Sequence, residues 1–475
     1  MIKNKVPAEI VQEALAVEGD EENDTSENLM ILDHKNVPIS VYDPVRKVMV
    51  RKGGSERSLQ ENLEPTTRIQ AFRERFELVE QRVQNNHIFA KRSFVVDETA
   101  AARPDLTRIS GIRRAEGLVC VLGMLTQPEE GVFYLEDLSA RVQVDMSESE
   151  ASVGLFTENC IIIVEGVMNE SKDVFKAHCL AMPPFEDRPV TCSRFPALAV
   201  PTNRKPYTPE ELQEMLVEEG KQEGTQMVVL SDVWLDRTRV MSGLRKLFGR
   251  FLIACQDAEA SGADVFFIFV LMGNFVSQPA VHGVATHREL FDRLAAMLEP
   301  MEALLLRSCF VIVPGPNDVV AGNTLMLPRN PLPDAIAKGF KDKIPASTFA
   351  SSPCRIKFYT QELVLHRDDL SCKLRTFSRK PAEGKELHDH AIKTILCQGH
   401  LAPLPLHAAP IDWAYDHALR LYPLPSLLVL GERNSHYEKE YQSSKVTNPG
   451  CFAADFSFAL YSFVGHELQV VFWRD

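Results

Sequence analysis

The chain has 475 residues, of which 45% are hydrophobic, and its formal net charge is −13. A chain of this length can bury more than one core, so two or three domains are expected. The excess of acidic residues argues against a protein that holds duplex nucleic acid mainly through its own phosphate contacts. A local basic patch and a basic protein partner both stay compatible with it.

The cysteines and the apolar runs indicate where the protein works. Ten cysteines are scattered without a Cys-x-x-Cys pair, which favours small core residues in a reducing compartment over a zinc site. The apolar run at 265–273 has about half the length that a membrane span needs. The first residues also lack the apolar core of a signal peptide. We therefore expect a soluble intracellular protein with no membrane partner.

Residues 1–60 are predicted to form a polar leader, in which the acidic run 19–28 is a solvated linker. From residue 66 the apolar residues follow a helical period, which predicts a helix that packs against another element. The apolar stripe of this helix consists of Ile69, Phe72, Phe76, Val79 and Val83. The charged residues that the pattern places outside the stripe are Arg73, Glu74, Glu77 and Arg82.

Five short β-rich runs follow between residues 117 and 184, separated by turn-forming residues. In one of them Val142, Val144 and Met146 alternate with polar residues, as expected of a strand with one buried face. Five strands with a longer connection between the third and the fourth fit a small OB-type barrel. We assign residues 61–200 to this barrel and the helix that leads into it.

Barrels of this type often bind single-stranded nucleic acid by stacking bases on aromatic side chains over a basic groove. The candidate residues for such a contact are Phe133 and Tyr134, with Arg108, Arg113 and Arg114 upstream. The same two aromatic side chains could instead pack the barrel itself. The sequence leaves both interpretations open.

Apolar strands alternate with amphipathic helices from residue 201 to residue 475. This alternation predicts a layered α/β domain whose strands are buried on both faces. Functional sites in such sheets form where the strands end. The fold class expected for the whole chain is therefore α/β with an additional β-barrel.

Short polar signatures directly follow the predicted strands of this second half. They are SDVWLD (231–236), MGNF (272–275), PGPND (314–318), QGHL (398–401) and GERN (431–434). Their order and spacing resemble those of the calcineurin-like phosphoesterase fold. The segment NPGCF (448–452) resembles the closing motif of that family.

Phosphoesterases of this fold hold two divalent metals, so that a bridging hydroxide can attack a phosphate in line. Imidazole and carboxylate ligands suit such metals, and one carboxylate must bridge them. The present chain keeps few of these groups. Asp232 is kept, and His400 corresponds to the lone His of the family. Trp234 replaces a motif His, Asn274 replaces the bridging Asp, Pro316 replaces a ligand Asn, and Asn317 replaces the catalytic His. Glu432 and Asn434 replace the final His pair.

Asp232 and His400 are the two ligands that remain, and Glu432 could serve as a third. Three ligands are too few for a dinuclear centre, because a two-metal mechanism does not tolerate the loss of most of its ligands. The resemblance thus implies a phosphoesterase fold without its metal ligands, with no catalytic residue and no cofactor. In this interpretation Asp232 caps a turn, and Trp234 fills the space of a lost metal.

An OB barrel followed by such a phosphoesterase fold resembles the B subunits of the eukaryotic and archaeal replicative DNA polymerases. The resemblance is closest to those of DNA polymerase epsilon. It rests on the segments VLGMLTQPEEGVFYLEDLSARVQVDMS, SDVWLD, MGNF, VPGPND and NPGCF. It covers about residue 30 to the C-terminus. It implies a nuclear, non-catalytic accessory subunit that binds the cysteine-rich, metal-binding C-terminal domain of the catalytic chain.

The resemblance also implies DNA within the complex, and indirect contact with small histone-fold subunits and the replicative helicase assembly. Members of this family usually begin with a helical module that resembles the lid of AAA+ ATPases. The leader at 1–60 is long enough only for the tail of that module. Two other functions compete with the accessory role: a diverged phosphoesterase that uses Asp232, His400 and Glu432, and a single-stranded DNA-binding OB fold.

Overall fold

The computed structural model describes residues 28–52, 65–89, 105–169, 171–199, 207–278, 283–320, 322 and 325–472. The strands in these ranges are β1 (Leu29–Leu32), β2 (Ser40–Asp43), β3 (Val48–Arg51), β4 (Val119–Glu129), β5 (Val132–Glu136), β6 (Arg141–Asp145), β7 (Glu150–Ala151), β8 (Ile161–Asn169), β9 (Val174–Ala181), β10 (Thr225–Leu230), β11 (Phe266–Met272), β12 (Ser308–Val313), β13 (Ser347–Phe349), β14 (Cys354–Phe358), β15 (Gln361–Arg367), β16 (Leu427–Gly431), β17 (Tyr437–Tyr441), β18 (Ser444–Asn448), β19 (Ser457–Ser462) and β20 (Glu467–Phe472). The α-helices are α1 (Pro65–Asn85), α2 (Arg188–Arg194), α3 (Pro209–Glu219), α4 (Thr238–Ser261), α5 (Val284–Leu298), α6 (Glu302–Leu305), α7 (Asp334–Lys343), α8 (Leu370–Phe377), α9 (Leu387–Gln398) and α10 (Phe452–Asp455).

The chain divides into two compact units. The sheet unit takes residues up to 37 together with 199–369 and 425–475, and the barrel unit takes 38–198 and 370–424. The sequence assigned residues 1–60 to a leader, 61–200 to the barrel and 201–475 to the α/β domain, whereas residues 370–424 group here with the barrel. Side chains explain why they belong to the barrel unit. The amide of Gln398 exchanges two hydrogen bonds of 2.7 Å with the backbone of Ile161 on β8.

Two six-stranded sheets form the sheet unit. One has the order β13-β12-β11-β10-β19-β20, in which β10 to β13 are parallel and β19 and β20 are antiparallel additions. The other has the order β1-β14-β15-β16-β18-β17, with β15, β16 and β18 parallel. Because parallel strands end at the same edge, the polar segments after β10, β11, β12, β15 and β16 can meet there.

Strand β11 shows how the layers of this unit arise. Its residues are buried on both faces, as the unbroken apolar sequence predicts. Phe267 and Phe269 face a core that includes residues of α4, α5 and α7. Ile268 and Val270, which alternate with them, face a core shared with the second sheet. The unit is therefore a helix layer on a sheet that packs against another sheet, and the predicted layered α/β class is confirmed.

The barrel unit contains the predicted OB-type barrel. Strand β4 pairs with β5 and β8, β5 pairs with β6, and the barrel closes where β6 and β9 pair in parallel. The alternation of β6 places Val142 and Val144 inside, together with Val121 and Phe175 from other strands. The longer connection between the third and fourth main strands lies at 146–160, as predicted.

Helix α1 packs against the outside of the barrel, as its apolar stripe predicts. Phe76, Val79 and Val83 form a core with residues of β4 and β8. The stripe does not extend to Ile69, which is 62% exposed, because the core that α1 covers begins two turns later at Phe76. Glu74, which the pattern places outside the stripe, is nevertheless buried. A second face of α1 is buried, and Glu74 lies on it.

Part of the predicted polar leader is folded. Strand β1 pairs antiparallel with β14 and so extends a sheet of the sheet unit. Strands β2 and β3 form a hairpin in the barrel unit, where Tyr42 packs against Leu78, Phe195 and Leu198. Residues 1–27 and 53–60, which include most of the acidic run and the suggested tail of a helical module, lie outside the described residues. In the described part of the chain, no helix is long and apolar enough to cross a membrane.

Candidate site at the strand ends of the sheet unit

Asp232 lies directly after β10 and is completely buried. Its partner is Arg367, the last residue of β15, which is equally inaccessible to solvent. One terminal nitrogen, Nη2 of Arg367, donates to both carboxylate oxygens of Asp232 at 2.9 and 3.1 Å. The carboxylate that the phosphoesterase motif would give to a metal is thus held by a guanidinium.

The remaining donors of Arg367 bind the ends of other strands. Its Nε donates to the carbonyl of Gly273 after β11 at 2.7 Å, and Nη1 donates to the carbonyl of Gly431 at the end of β16 at 3.0 Å. Nη1 also donates to the Asp369 carboxylate at 3.1 Å. A guanidinium has five N–H donors, and these contacts together with the two to Asp232 use all five. Arg367 therefore joins the strand ends of both sheets.

The charge state of Arg367 follows from its surroundings. Burial by itself lowers the pKa of the guanidinium, because a charge is removed from water. The neighbouring carboxylates, Asp232 foremost and then Asp369, outweigh this effect and raise the pKa above its usual value. Arg367 is therefore a permanent cation at the centre of the predicted site.

Asn274, in the place of the bridging carboxylate, cross-links the loops instead. Its side-chain nitrogen donates to Asp232 at 3.2 Å, and its side-chain oxygen accepts the backbone N–H of Asn317 at 2.9 Å. The amide orientation is required by these partners, since an oxygen facing the carboxylate would be repelled. Both polar atoms of the amide are thus engaged within the protein, and neither supplies a negative charge.

Trp234 is half-buried and packs against the core that lies beneath the helix layer. The guanidinium of Arg433 lies 5.9 Å from the centre of its ring, within the range of a cation–π contact. Arg433 also brings Nε to 3.9 Å from an oxygen of Asp232. A second cation and an indole therefore lie where the motif has a metal ligand.

The segment after β16 is held in place by Asn448 of the closing motif. The side-chain oxygen of Asn448 accepts the backbone N–H of Glu432 at 3.2 Å, and its nitrogen donates to the carbonyl of Asn434 at 3.1 Å. Glu432 is completely buried and accepts a hydrogen bond of 3.2 Å from the Asn434 amide. The two residues that replace the final histidine pair therefore interact with each other.

The segment after β12 contains Pro316, which is half-buried, and Asn317, whose side chain is exposed. The next residue, Asp318, is buried and accepts the backbone N–H groups of Phe275 and Gly315, both at 2.8 Å. Nε2 of His287 lies 3.7 Å from the Asp318 carboxylate. Burial lowers the pKa of His287, but Asp318 outweighs it and raises the pKa. His287 is thus a buried partner of the Asp318 carboxylate.

A dinuclear metal centre does not fit these residues. Asp232 is engaged by Arg367, Asn274 is neutral, and Pro316 has no donor atom on its side chain. Across the described ranges, no three His, Cys, Asp or Glu side chains are grouped as metal ligands. The geometry instead supports a centre whose positive charge comes from the chain itself.

Comparisons with known proteins agree with this picture. The family described as the B subunit of DNA polymerases alpha and epsilon matches residues 227–439, and the OB-fold domain described as DNA polymerase epsilon subunit 2-like matches residues 65–184. The DNA polymerase epsilon B subunit of Arabidopsis thaliana is 35% identical over 460 residues, which cover 95% of this chain and 84% of the relative. The chain belongs to the family of DNA polymerase epsilon B subunits.

Two further relatives extend this range of organisms. DNA polymerase epsilon subunit 2 of Homo sapiens is 34% identical, over 84% of this chain and 74% of the relative. The corresponding B subunit of Schizosaccharomyces pombe is 30% identical, over 88% of this chain and 72% of the relative. As a member of this family, the chain is related to accessory subunits of a replicative polymerase.

His400, which the motif order assigned to the site, lies in the barrel unit. Its Nδ1 accepts the backbone N–H of Ala402 at 3.0 Å, which leaves the proton on Nε2. Nε2 lies 3.4 Å from the Asp416 carboxylate. Burial, reinforced by the positive charge of Arg75, lowers the pKa of His400 to about 4. The polar contacts of His400 are thus with its own unit, and the structure does not group it with Asp232.

A buried set of charges surrounds His400, which we call the Asp416 network. It consists of Glu74, Arg75, His400, Asp416 and Arg420. Asp416 pairs with Arg75 and accepts from Arg420 at 3.0 and 3.1 Å, while Arg420 also donates to Glu74 at 2.7 Å. Two cations balance two anions, and His400 is neutral. The network joins α1 to the 3-10 helix at Trp413–Leu419.

The lowered pKa of His400 predicts a loss of stability in acid. The unfolded chain binds a proton on this side chain near pH 6.5, but the folded chain binds it only near pH 4. The contribution of neutral His400 is therefore fully present above pH 6.5 and is lost as the pH falls towards 4. Urea unfolding at a series of pH values should show this slope, and His400→Gln should make it shallower. An unchanged slope in the variant would contradict the prediction.

The predicted stacking residues of the barrel do not share a face. Phe133 and Tyr134 are adjacent on β5, so their side chains point to opposite sides of the strand. Phe133 packs against the barrel core, with the guanidinium of Arg379 at 5.0 Å from its ring. The ring of Tyr134 faces Arg141 at 5.3 Å. The two rings cannot form one stacking platform.

The predicted basic residues of the barrel are exposed but not grouped as a groove. Arg113 forms two hydrogen bonds, of 3.0 and 2.7 Å, with the Asp173 carboxylate. Arg114 is exposed on the same 3-10 helix. Arg108 lies on a cavity of about 630 Å³ that is also lined by Glu80 and by two aspartates. Carboxylates beside these cations weaken the attraction for phosphates.

Proposed function

We propose that this protein is a non-catalytic accessory subunit of DNA polymerase epsilon in the nucleus. It stabilises the catalytic chain by binding the cysteine-rich, metal-binding C-terminal domain of that chain. Small histone-fold subunits, the replicative helicase assembly and DNA are indirect partners within the complex. The proposal rests on membership in the family of B subunits, whose relatives cover most of this chain.

The buried Arg367–Asp232 pair carries the non-catalytic part of the proposal. A two-metal phosphoesterase needs free carboxylate and imidazole ligands around a space for two cations. The guanidinium of Arg367 already neutralises Asp232 with full use of its donors. Displacing it would break a buried ion pair and leave Arg367 with the partly exposed Asp369 as its carboxylate partner, which is strongly unfavourable.

A scaffold role also fits the charge of the chain. Its formal net charge of −13 favours encounters with basic proteins over direct contact with phosphates. The sheet and barrel units each have a buried core and so offer folded surfaces, which a partner need not order on binding. The catalytic chain is thus a more suitable partner than DNA alone.

Co-expression with the C-terminal domain of the catalytic chain tests the proposal. We expect a stoichiometric complex that stays together in size-exclusion chromatography at physiological salt. A matched control is an unrelated zinc-binding domain of similar size and charge, which should elute separately. A folded chain that separates from the catalytic domain, or that retains both domains equally, would contradict the proposal.

The single-strand-binding alternative has a test of its own. Binding of an oligonucleotide through a stacking platform should weaken by about 1–3 kcal/mol when an aromatic residue is removed. Since Phe133 and Tyr134 lie on opposite faces, we expect Tyr134→Ala to leave any low-salt binding unchanged. A loss of that size, measured by fluorescence anisotropy, would favour the alternative.

A further inference from the structure

Helix α4 carries its charges in the order that a helix dipole disfavours. Arg237 and Arg239 lie at its N-terminal end, and Glu259 lies in its last turn. The N-terminal end of a helix has a partial positive charge and the C-terminal end a partial negative one, so both groups are repelled. The first turn has no acidic residue, and the last turn has no basic one. These charges therefore gain no stabilisation from the dipole of α4.

Gly249 lies in the middle of the same helix, where no packing contact of the described residues requires a glycine. A glycine at such a position lowers helix stability relative to alanine. The other glycine of α4, Gly243, is explained by packing, because an added Cβ would lie 2.6 Å from the ring of Phe456. Among the residues that the structure describes, an added Cβ at Gly249 would meet no atom within 4 Å. Open space above a helix glycine suits a close approach from outside the unit.

The surface around Gly249 combines cations with one aliphatic side chain. Arg245, Lys246 and Arg250 are exposed, within about one turn of the glycine. Ile253, four residues further on and so on the same side of the helix, is 57% exposed. We call the set Arg245, Lys246, Gly249, Arg250 and Ile253 the α4 surface. A contact at Gly249 would thus bring a partner against three basic side chains and one apolar side chain.

We propose that the α4 surface binds an acidic helix of a protein partner, packed across Gly249. A glycine at a helix crossing lets the two backbones approach closely, since interaxial distance depends on the side chains at the contact. The cations complement carboxylates that flank an aliphatic stripe. Ile253 favours a protein over nucleic acid, because a phosphate backbone offers no apolar partner for it. The proposal is independent of whether the catalytic chain binds elsewhere on the protein.

Substitution of Gly249 separates binding from stability. Gly249→Leu adds a side chain into open space and improves helix propensity, so the thermal midpoint should stay the same or rise. The same side chain blocks the close approach of a partner helix. We therefore expect Gly249→Leu to weaken binding at least about tenfold, as removal of a central contact does. If Gly249 is required only for the fold, Gly249→Leu should lower the thermal midpoint and leave binding unchanged.

The probe is a synthetic helical peptide with a leucine stripe and glutamates elsewhere, measured by fluorescence anisotropy on the full chain. The triple variant Arg245→Glu/Lys246→Glu/Arg250→Glu should also lose binding. Two matched controls should bind as the wild type does. They are Ala296→Leu on the exposed side of α5 and Lys338→Glu on the exposed side of α7.

Binding of the peptide and of a duplex DNA probe to these variants tests the proposal. Loss of peptide binding in Gly249→Leu and in the charge-reversed variant, with the controls unchanged, supports the proposal. Absence of peptide binding to the wild type overturns it, as does binding that Gly249→Leu leaves intact. Tighter binding of a duplex DNA probe, lost on charge reversal but not in Gly249→Leu, would assign the surface to nucleic acid and also overturn it.

Discussion

Arg367→Ala should destabilise the sheet unit by about 3–5 kcal/mol, the cost of breaking a buried ion pair by removing one partner. The substitution leaves the Asp232 carboxylate buried with the more distant cation of Arg433, whose Nε lies 3.9 Å away. It also removes the guanidinium donors from the carbonyls of Gly431 and Gly273, although Gly273 keeps the backbone N–H of Asp232 at 3.3 Å. Each unsatisfied buried acceptor adds to the penalty.

Urea unfolding followed by circular dichroism measures this effect. The double variant Asp232→Asn/Arg367→Met removes both charges and fills much of the space. We expect it to be more stable than Arg367→Ala, because replacing both partners of a buried pair costs less than stranding one. A double-mutant cycle of Asp232→Asn, Arg367→Met and the double variant then gives the interaction energy between the two side chains. If the free energy of unfolding of Arg367→Ala lies within about 0.5 kcal/mol of the wild-type value, as is usual for a surface substitution, Arg367 does not organise the site.

Asp416→Ala should destabilise the barrel unit by a similar amount, about 3–5 kcal/mol. Asp416 contacts both arginines of its network and His400, and it is 2% exposed. Burial raises the pKa of this carboxyl, but Arg75 and Arg420 outweigh burial and hold the pKa well below its usual range. Without Asp416, Arg75 loses the carboxylate shown for it, and Arg420 keeps that of Glu74.

One further variant tests charge separately from side-chain volume, and another tests the effect of burial. Asp416→Asn keeps the size of the side chain but not its charge, and we expect most of the loss to remain. The exposed pair of Arg113 and Asp173 is the matched control, since both side chains are more than 60% exposed. Asp173→Ala should cost no more than about 1 kcal/mol, as exposed ion pairs do. Equal effects of Asp416→Ala and Asp173→Ala in urea unfolding would contradict the prediction.

Local patterns account for the parts of the fold that the sequence predicted. The alternation in β6 gives one buried face, with Val142 and Val144 inside the barrel. The unbroken apolar run of β11 predicts a strand buried on both sides, and Phe269 and Val270 face two different cores. Each of these signals depends only on neighbours in the sequence, because side chains alternate along a strand.

Arg367 shows what such patterns cannot predict. It follows an apolar run as part of HRDD at 366–369, where a basic residue is expected to be a solvated strand end. Its partner Asp232 lies 135 positions away. The signal in the sequence was indirect. Loss of most metal ligands around a kept, buried Asp232 requires another cation, and a basic residue at a neighbouring strand end is the place to look for it.

The charged residues of α1 were missed for a related reason. An amphipathic pattern assigns charges to solvent, so Glu74 and Arg75 were not expected in a core. Their partners, Arg420 and Asp416, are more than 300 residues away. His400 was assigned by motif order alone, which carries no information on its contact with Asp416. Motif order grouped it with Asp232, whereas its contacts are with the network that closes on α1.

Hydrolysis of a phosphodiester in the presence of manganese tests the central claim most directly. The purified full chain is loaded with Mn²⁺ and assayed with bis-p-nitrophenyl phosphate beside the Asp232→Asn variant. We expect no turnover above background in either protein, because Arg367 supplies the cation that balances Asp232. Turnover by the wild type that requires Mn²⁺ and is abolished in Asp232→Asn would contradict the claim and assign catalysis to this site.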